Sequence, residues 1–235
     1  MKKPHVICHM MSTVDGKIIS ANWGDKELIK TYSGFFEKYH DTFDSQAWMC
    51  GRITMERDFS GGLKPELKKP EHPVKKEAFI GDKNATSFAI AADAHGKLGW
   101  ESNQTSGDHI IEVLTEQVSD EYLYYLQQKG ISYIFAGKNS IDFSSALNQL
   151  ADLFPIKTLM VEGGGHLNGS LLNAGLIDEL SLLVLPIADG TPKSPTTFEV
   201  SEYLSKAPAI LLKLNEVKQL ENDVLWLKYS LNNNK

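Results

Sequence analysis

Apolar and polar positions follow two rhythms along this chain. Short apolar runs recur between clusters of glycine, proline and polar residues. Between them lie stretches in which apolar residues return at i, i+3 and i+4. His5 to Met11 reads as a buried first strand, followed by a turn at Asp15-Gly16. Glu27 to Tyr39 reads as a helix, with Leu28, Tyr32, Phe35, Phe36 and Tyr39 near one face. Ala47 to Cys50 is a short strand running into Gly51-Arg52. Ser60 to Lys83 has Gly61-Gly62, three prolines and many lysines, the composition of an exposed loop.

The alternation continues downstream. Ser87 to Ala92, His109 to Leu114 and Ile131 to Ala136 are strand-like, with a polar loop over Gly99 to Gly107. Ser119 can cap a helix that runs to Lys129 and ends at Gly130. Phe143 to Leu153 carries Leu147, Leu150, Ala151 and Phe154 on one stripe, and Pro155 stops it. Thr158 to Val161 is a strand, and a short helix from His166 to Asn173 closes at Gly175. Leu180 to Leu185 is almost unbroken in its apolarity, as a central strand requires. Ala209 to Val217 and Val224 to Ser230 form an antiparallel hairpin around Glu221-Asn222-Asp223. Strands alternating with helices predict an α/β fold with a mixed, mostly parallel central sheet flanked by helices. No repeat or composition break divides the 235 residues, so one domain over 1–235 is expected.

Composition narrows the function. At 42% hydrophobic and 23% charged, the chain can bury a full core. A net charge of -6 argues against nucleic acid as a partner, because phosphate backbones need clustered Lys and Arg. No apolar run approaches the roughly 18 residues that span a bilayer, and no signal peptide is read at the N-terminus. Cys8 and Cys50 sit in apolar runs and are expected as buried thiols of a cytoplasmic protein. No metal site is expected: His5 and His9 on one strand would stand about 13 Å apart, and no zinc-ligand spacing appears. A Gly-x-Ser-x-Gly nucleophile elbow is also missing.

Three segments carry candidate chemistry. In Thr158-Leu-Met-Val-Glu162-Gly163-Gly164-Gly165-His-Leu-Asn-Gly169 a strand ends, three glycines follow and a helix starts. Such a loop lets backbone N–H groups approach an anion at a helix N-terminus, and a dinucleotide pyrophosphate would suit it. A ligand-free tight turn fits the spacing equally well. The loop is neither a Rossmann fingerprint, which would need glycine where Asn168 stands, nor a P-loop, which would need a lysine before Ser170. In Gly51-Arg52-Ile53-Thr54 a guanidinium and a hydroxyl follow a strand end, a pairing able to hold a phosphate; a surface arginine is the plainer alternative. Ser12-Thr13-Val14-Asp15-Gly16-Lys17 follows the first strand, where open α/β sheets place their ligand crevice, though Asp-Gly is equally a turn signal.

Together these segments resemble the RibD C-terminal (pyrimidine reductase) family of the dihydrofolate-reductase-like superfamily. Ser12 to Ile18 resembles its Ser-Leu-Asp-Gly-Lys-Ile signature, Gly51-Arg52-Ile53-Thr54 its Gly-Arg-x-Thr, and Val161 to Gly165 its Glu-Gly-Gly-Gly loop. Gly175 to Leu180, through Pro186 and Gly190, resembles its Gly-Leu-Val-Asp-Glu-Leu strand. The resemblance implies NADPH as hydride donor, a small-molecule substrate and often a homodimer. In the riboflavin pathway that substrate is 5-amino-6-(5-phosphoribosylamino)uracil or a close relative, reduced at an imine-like C1′. It implies Glu162 and Asp15 as catalytic residues and Thr13 and His9 as substrate-binding. Gly51, Arg52, Thr54, Thr115, Gly163, Gly164 and Gly165 would bind the cofactor, Thr115 at the adenosine 2′-phosphate. Departures are visible: the family's fused members carry Lys near the position of His9 and arginines after the first turn, whereas 23–48 contains no arginine. Lys26, Lys30 and Lys38 are the substitutes on offer. A paralogous reductase of another pyrimidine, a pterin or a carbonyl compound, and a non-catalytic nucleotide-binding protein, stay open as alternatives.

Overall fold

The structure, a computed structural model, describes residues 3–202, 204 and 208–231. In chain order the elements are β1 (His5–Thr13), α1 (Lys26–His40), β2 (Ala47–Gly51), α2 (Arg52–Thr54, continued by a wider turn over Met55–Phe59), β3 (Phe88–Ala92), β4 (Gln104–Thr105) and β5 (Asp108–Leu114). They continue with α3 (Asp120–Lys129), β6 (Ser132–Phe135), α4 (Phe143–Leu153), β7 (Thr158–Val161), α5 (Gly165–Asn173), β8 (Glu179–Leu185), β9 (Leu212–Gln219) and β10 (Leu225–Leu231). Contacts divide the chain into a middle unit, Gln46–Leu159, and a flanking unit built from His5–Ser45 and the residues from Met160 on. The chain crosses from one to the other within β7.

In the middle unit β2, β3, β5 and β6 pair in parallel in that order, and β4 adds an antiparallel ladder to β5. The predicted loop over Gly99 to Gly107 therefore contains a two-residue strand, too short to leave a periodic signal. α3 starts where expected: Ser119 accepts from the Tyr122 amide, and Gly130 ends the helix at φ 68°, a backbone state that costs glycine nothing. Asp142 caps α4, whose Ala146, Leu147 and Leu150 are buried. The long segment over 60–83 has no strand or helix beyond one isolated bridge, Phe79 to Tyr133.

In the flanking unit β1 lies parallel to β8, β8 antiparallel to β10, and β10 antiparallel to β9. β8 thus has a neighbour on both sides, which explains its apolar run. The C-terminal hairpin is present as expected. α1 is capped by Asp25, which accepts from Glu27 and Leu28 amides. Its inward face, Leu28, Ile29, Tyr32, Phe35, Phe36 and Tyr39, packs against Trp23, Leu183, Leu185, Val224 and Trp226. Each large side chain fully buried in such a cluster contributes about 1.5–3 kcal/mol. That packing anchors α1, whose last residue, His40, reaches Glu162, the residue after β7.

Candidate functional site

The end of β1 is tied down by its own side chains. Thr13 Oγ1 donates to Asp15 Oδ1 at 2.5 Å and accepts from the Lys17 amide at 2.9 Å. Gly16, at φ 80°, lets the turn close. Asp15 also accepts from the amides of Asp189 at 3.1 Å and Gly190 at 2.9 Å. Its carboxyl is held down at about 2, first by the Thr13 hydroxyl and then by those amides. An anion so well supplied with donors is a poor proton source near neutrality. In this geometry Thr13 and Asp15 latch the segment after β8 to the segment after β1.

His9, expected at the substrate, is buried with both ring nitrogens engaged inside the flanking unit. Nε2 lies 3.0 Å from Phe36 O and Nδ1 2.8 Å from Ser181 Oγ, which also accepts from Trp226 Nε1 at 2.8 Å. A carbonyl only accepts, so Nε2 carries the proton, and the serine hydroxyl donates to Nδ1. All partners are satisfied with a neutral ring, and burial pulls the His9 pKa below its ordinary value.

Glu162 follows β7, and its Oε1 lies 2.5 Å from His40 Nδ1. The side chains are 11% and 22% exposed, so the pair is largely screened from water. Its charge is felt nearby: burial, and then Glu162, push the Cys8 thiol well above its ordinary pKa. Sequence reasoning did not single out His40. The pair is 122 residues apart, and the only local sign was a basic residue in the last turn of a helix.

The three glycines have separate causes. Gly163 takes φ 97°, beside the Met10 sulfur, and the peptide to Gly164 is cis. Gly164 is the N-cap of α5 and, having no side chain, leaves that helix uncapped, unlike α1, α3 and α4. Gly165 is required by packing, because a Cβ there would meet Thr196 O at 2.3 Å. Gly169 does the same one turn on, against Glu199 O at 2.1 Å, while Asn168 Nδ2 donates to Thr197 O. An uncapped nine-residue helix preceded by glycine offers first-turn N–H groups to an anion, so this loop fits a pyrophosphate.

In the middle unit Gly51 precedes α2, again without a side-chain cap. Arg52 Nη1 donates to Glu56 at 2.6 Å, and Glu56 is shared with Lys64. Thr54 is half-buried at the end of α2. Thr115 is fully buried and gives its hydroxyl proton to Ala94 O at 2.6 Å, which leaves it no proton for a phosphate. A cavity of about 430 Å³ in the same unit is walled by Trp100, Tyr124, Tyr125, Lys64, Lys68 and Lys129, and none of the candidate residues lines it. Among the described residues no cluster of three or more His, Cys, Asp or Glu could hold a metal, and no helix is long and apolar enough to cross a membrane. Lys26, Lys30 and Lys38 are exposed on α1.

Residues 4–226 match the RibD C-terminal domain family. The chain belongs to that family. It is 31% identical over 224 residues to the 2,5-diamino-6-ribosylamino-4(3H)-pyrimidinone 5′-phosphate reductase of Methanothermobacter thermautotrophicus, covering 95% of this chain and 96% of the relative. To the Aquifex aeolicus protein of the same name it is 26% identical over 197 residues, 83% of each. Among solved structures it resembles a pyrimidine reductase-like protein from Corynebacterium diphtheriae, with a TM-score of 0.63 at 16% identity over 97% of this chain and 92% of that one. The α/β fold expected from the sequence is thereby shared with that structure.

Proposed function

We propose that this chain is an NADPH-dependent reductase of a ribosylaminopyrimidine phosphate, transferring a hydride to the imine-like C1′ as in riboflavin biosynthesis. Kinship makes it an oxidoreductase: the relatives that match it are named as reductases. The observation that carries the finer reading is the position of Glu162. A largely buried carboxylate, held by His40, stands directly before an uncapped, glycine-started helix. An acid–base group next to an anion-binding loop is what a dinucleotide-dependent reduction needs.

Gly163, Gly164 and the first turn of α5 would hold the pyrophosphate. By resemblance Arg52 and Thr54 take the adenosine-side phosphates. When bound, the nicotinamide supplies the hydride; the protein's work is to orient the acceptor carbon and manage the proton. Thr13 and Asp15 contribute by fixing the loops after β1 and β8, and His9 by supporting α1 from beneath. A homodimer in the cytoplasm is part of this reading.

A paralogous substrate is favoured by one feature: the stretch 23–48 offers lysines and no arginine for a substrate phosphate. The test is a titration with NADPH and NADH followed by tryptophan fluorescence, then turnover with the ribosylaminopyrimidine in phosphorylated and dephosphorylated form. Saturable, NADPH-preferring binding and faster turnover of the phosphate ester support the proposal. Binding of neither nucleotide by folded protein overturns it, and indifference to the phosphate moves the substrate to the paralogous reading.

A further inference from the structure

His9 and His40 both feel the Glu162 carboxylate, under opposite conditions. Their ring centroids are 6.4 Å apart. His9, on β1, is satisfied as a neutral ring by Ser181 and Phe36. His40 ends the fifteen-residue α1, where the negative end of the helix dipole favours a cation, and its Nδ1 meets Glu162 Oε1 at 2.5 Å. Among the described residues, titratable groups nearby include Cys8 on β1, a buried thiol, and Lys228 on β10, whose ammonium lies over Phe43 and Trp226 and is paired with Glu216. Neither competes with Glu162 for His40: the thiol is neutral, and the ammonium already has its carboxylate.

We propose that His40 is a positioning residue that acts through Glu162, so that the pair stores one shared proton for the nitrogen of the C=N bond being reduced. This rests on the reductase reading above. Reduction adds a hydride, from a reduced nicotinamide dinucleotide, to the carbon of C=N. The π pair moves to nitrogen, which must then take a proton. His40 passes its Nδ1 proton to the carboxylate, and the Glu162 O–H bond breaks as the new N–H bond forms. The pair is left as neutral imidazole and carboxylate and regains its proton from water. Without His40 the carboxylate alone would have to hold that proton near neutrality, where a free carboxyl has lost it.

Two experiments test the assignment. In the protein without nucleotide, the His40 ring is titrated by nitrogen-15 NMR in wild type and Glu162→Gln. The midpoint is expected to fall by at least about one pH unit in the variant, the usual effect of removing an adjacent opposite charge. An unchanged midpoint overturns the shared proton. In turnover, His40→Asn keeps a neutral donor near the Nδ1 position but cannot carry the proton. Its kcat at neutral pH is expected to fall by about 10²-fold with KM little changed, and the high-pH limb of the profile to move acidward. Wild-type kcat and profile in His40→Asn overturn the proposal while leaving the reductase reading intact. A wild type that couples His40 to Glu162 by NMR yet reduces no ribosylaminopyrimidine overturns the ribosylaminopyrimidine reading and the proton-donor role at its C=N bond with it. The two arms use different variants, so misfolding of one leaves the other decisive.

Discussion

Asp15 and Gly190 are 175 residues apart in the chain, yet the Gly190 amide donates to Asp15 Oδ2 at 2.9 Å. With the Asp189 amide and the Thr13 hydroxyl on Oδ1, this contact makes Asp15 the clasp between two loops that follow neighbouring parallel strands. A turn signal and a family motif turn out to be one device: the carboxylate that ends the first turn also orders the Pro186 to Gly190 segment.

Asp15→Asn should therefore destabilise the fold at pH 7, since its amide presents N–H where backbone N–H groups already point. The folded-state pKa lies below the ordinary 3.8, at about 2, so the carboxylate's contribution is complete above 3.8 and disappears as pH falls through about 2. Urea midpoints of wild type and variant should differ at pH 7 and converge on acidification over that window. A constant difference would remove the carboxylate's charge from the explanation.

Gly165→Ala and Gly169→Ala should each cost about 1–3 kcal/mol or more, because the added methyl meets backbone carbonyls of Thr196 and Glu199 that have no rotamer to change. Thermal unfolding of the two variants measures this. Wild-type melting of Gly165→Ala would mean that segment 196–199 does not lie against α5.

Glu112 in the middle unit is fully buried, with Trp100 Nε1 at 2.6 Å and the Tyr122 hydroxyl at 2.8 Å. Tyr122 has one proton and also faces Leu98 O at 2.8 Å. If Glu112 is protonated it donates to the tyrosine, which donates to the carbonyl, and every group is satisfied. Burial, with the charge of Asp93, raises the Glu112 pKa well above 4.5. A raised folded-state pKa gives stability that is present below the unfolded value and lost as pH rises. Glu112→Gln, which cannot ionise, should gain on wild type as pH rises above the ordinary carboxyl value of 4.5. Parallel melting curves across that range would show Glu112 to be ionised already.

Arg52→Ala should weaken NADPH more than NADH if its guanidinium meets the adenosine 2′-phosphate, by the ratio of dissociation constants from fluorescence titration. Because Arg52 also holds Glu56 at 2.6 Å, Glu56→Gln is the control: it removes that pairing and spares the guanidinium. Equal losses for both nucleotides in Arg52→Ala would take Arg52 away from the 2′-phosphate.

Much of this protein was written locally. Capping at Ser119, the left-handed stop at Gly130, the stripe on α4 and the apolar run of β8 depend on residues within a turn or two of one another, and they appear where the pattern put them. The glycine loop was equally legible as a place, because strand, glycines and helix are contiguous. Its reasons were not. Gly165 is small because segment 196–199 crosses α5, a contact across some thirty residues that no window of sequence contains.

The sequence by itself determined the α/β class, the family motifs and the candidate carboxylates, since periodicity, caps and short motifs are properties of neighbouring residues. Tertiary structure alone decided which partners those groups meet. It paired His40 with Glu162, set the His9 ring between Ser181 and Phe36 and brought backbone amides to Asp15. Protonation and hydrogen bonding depend on burial and on partners a few ångströms away in space, and folding chooses those partners from distant parts of the chain.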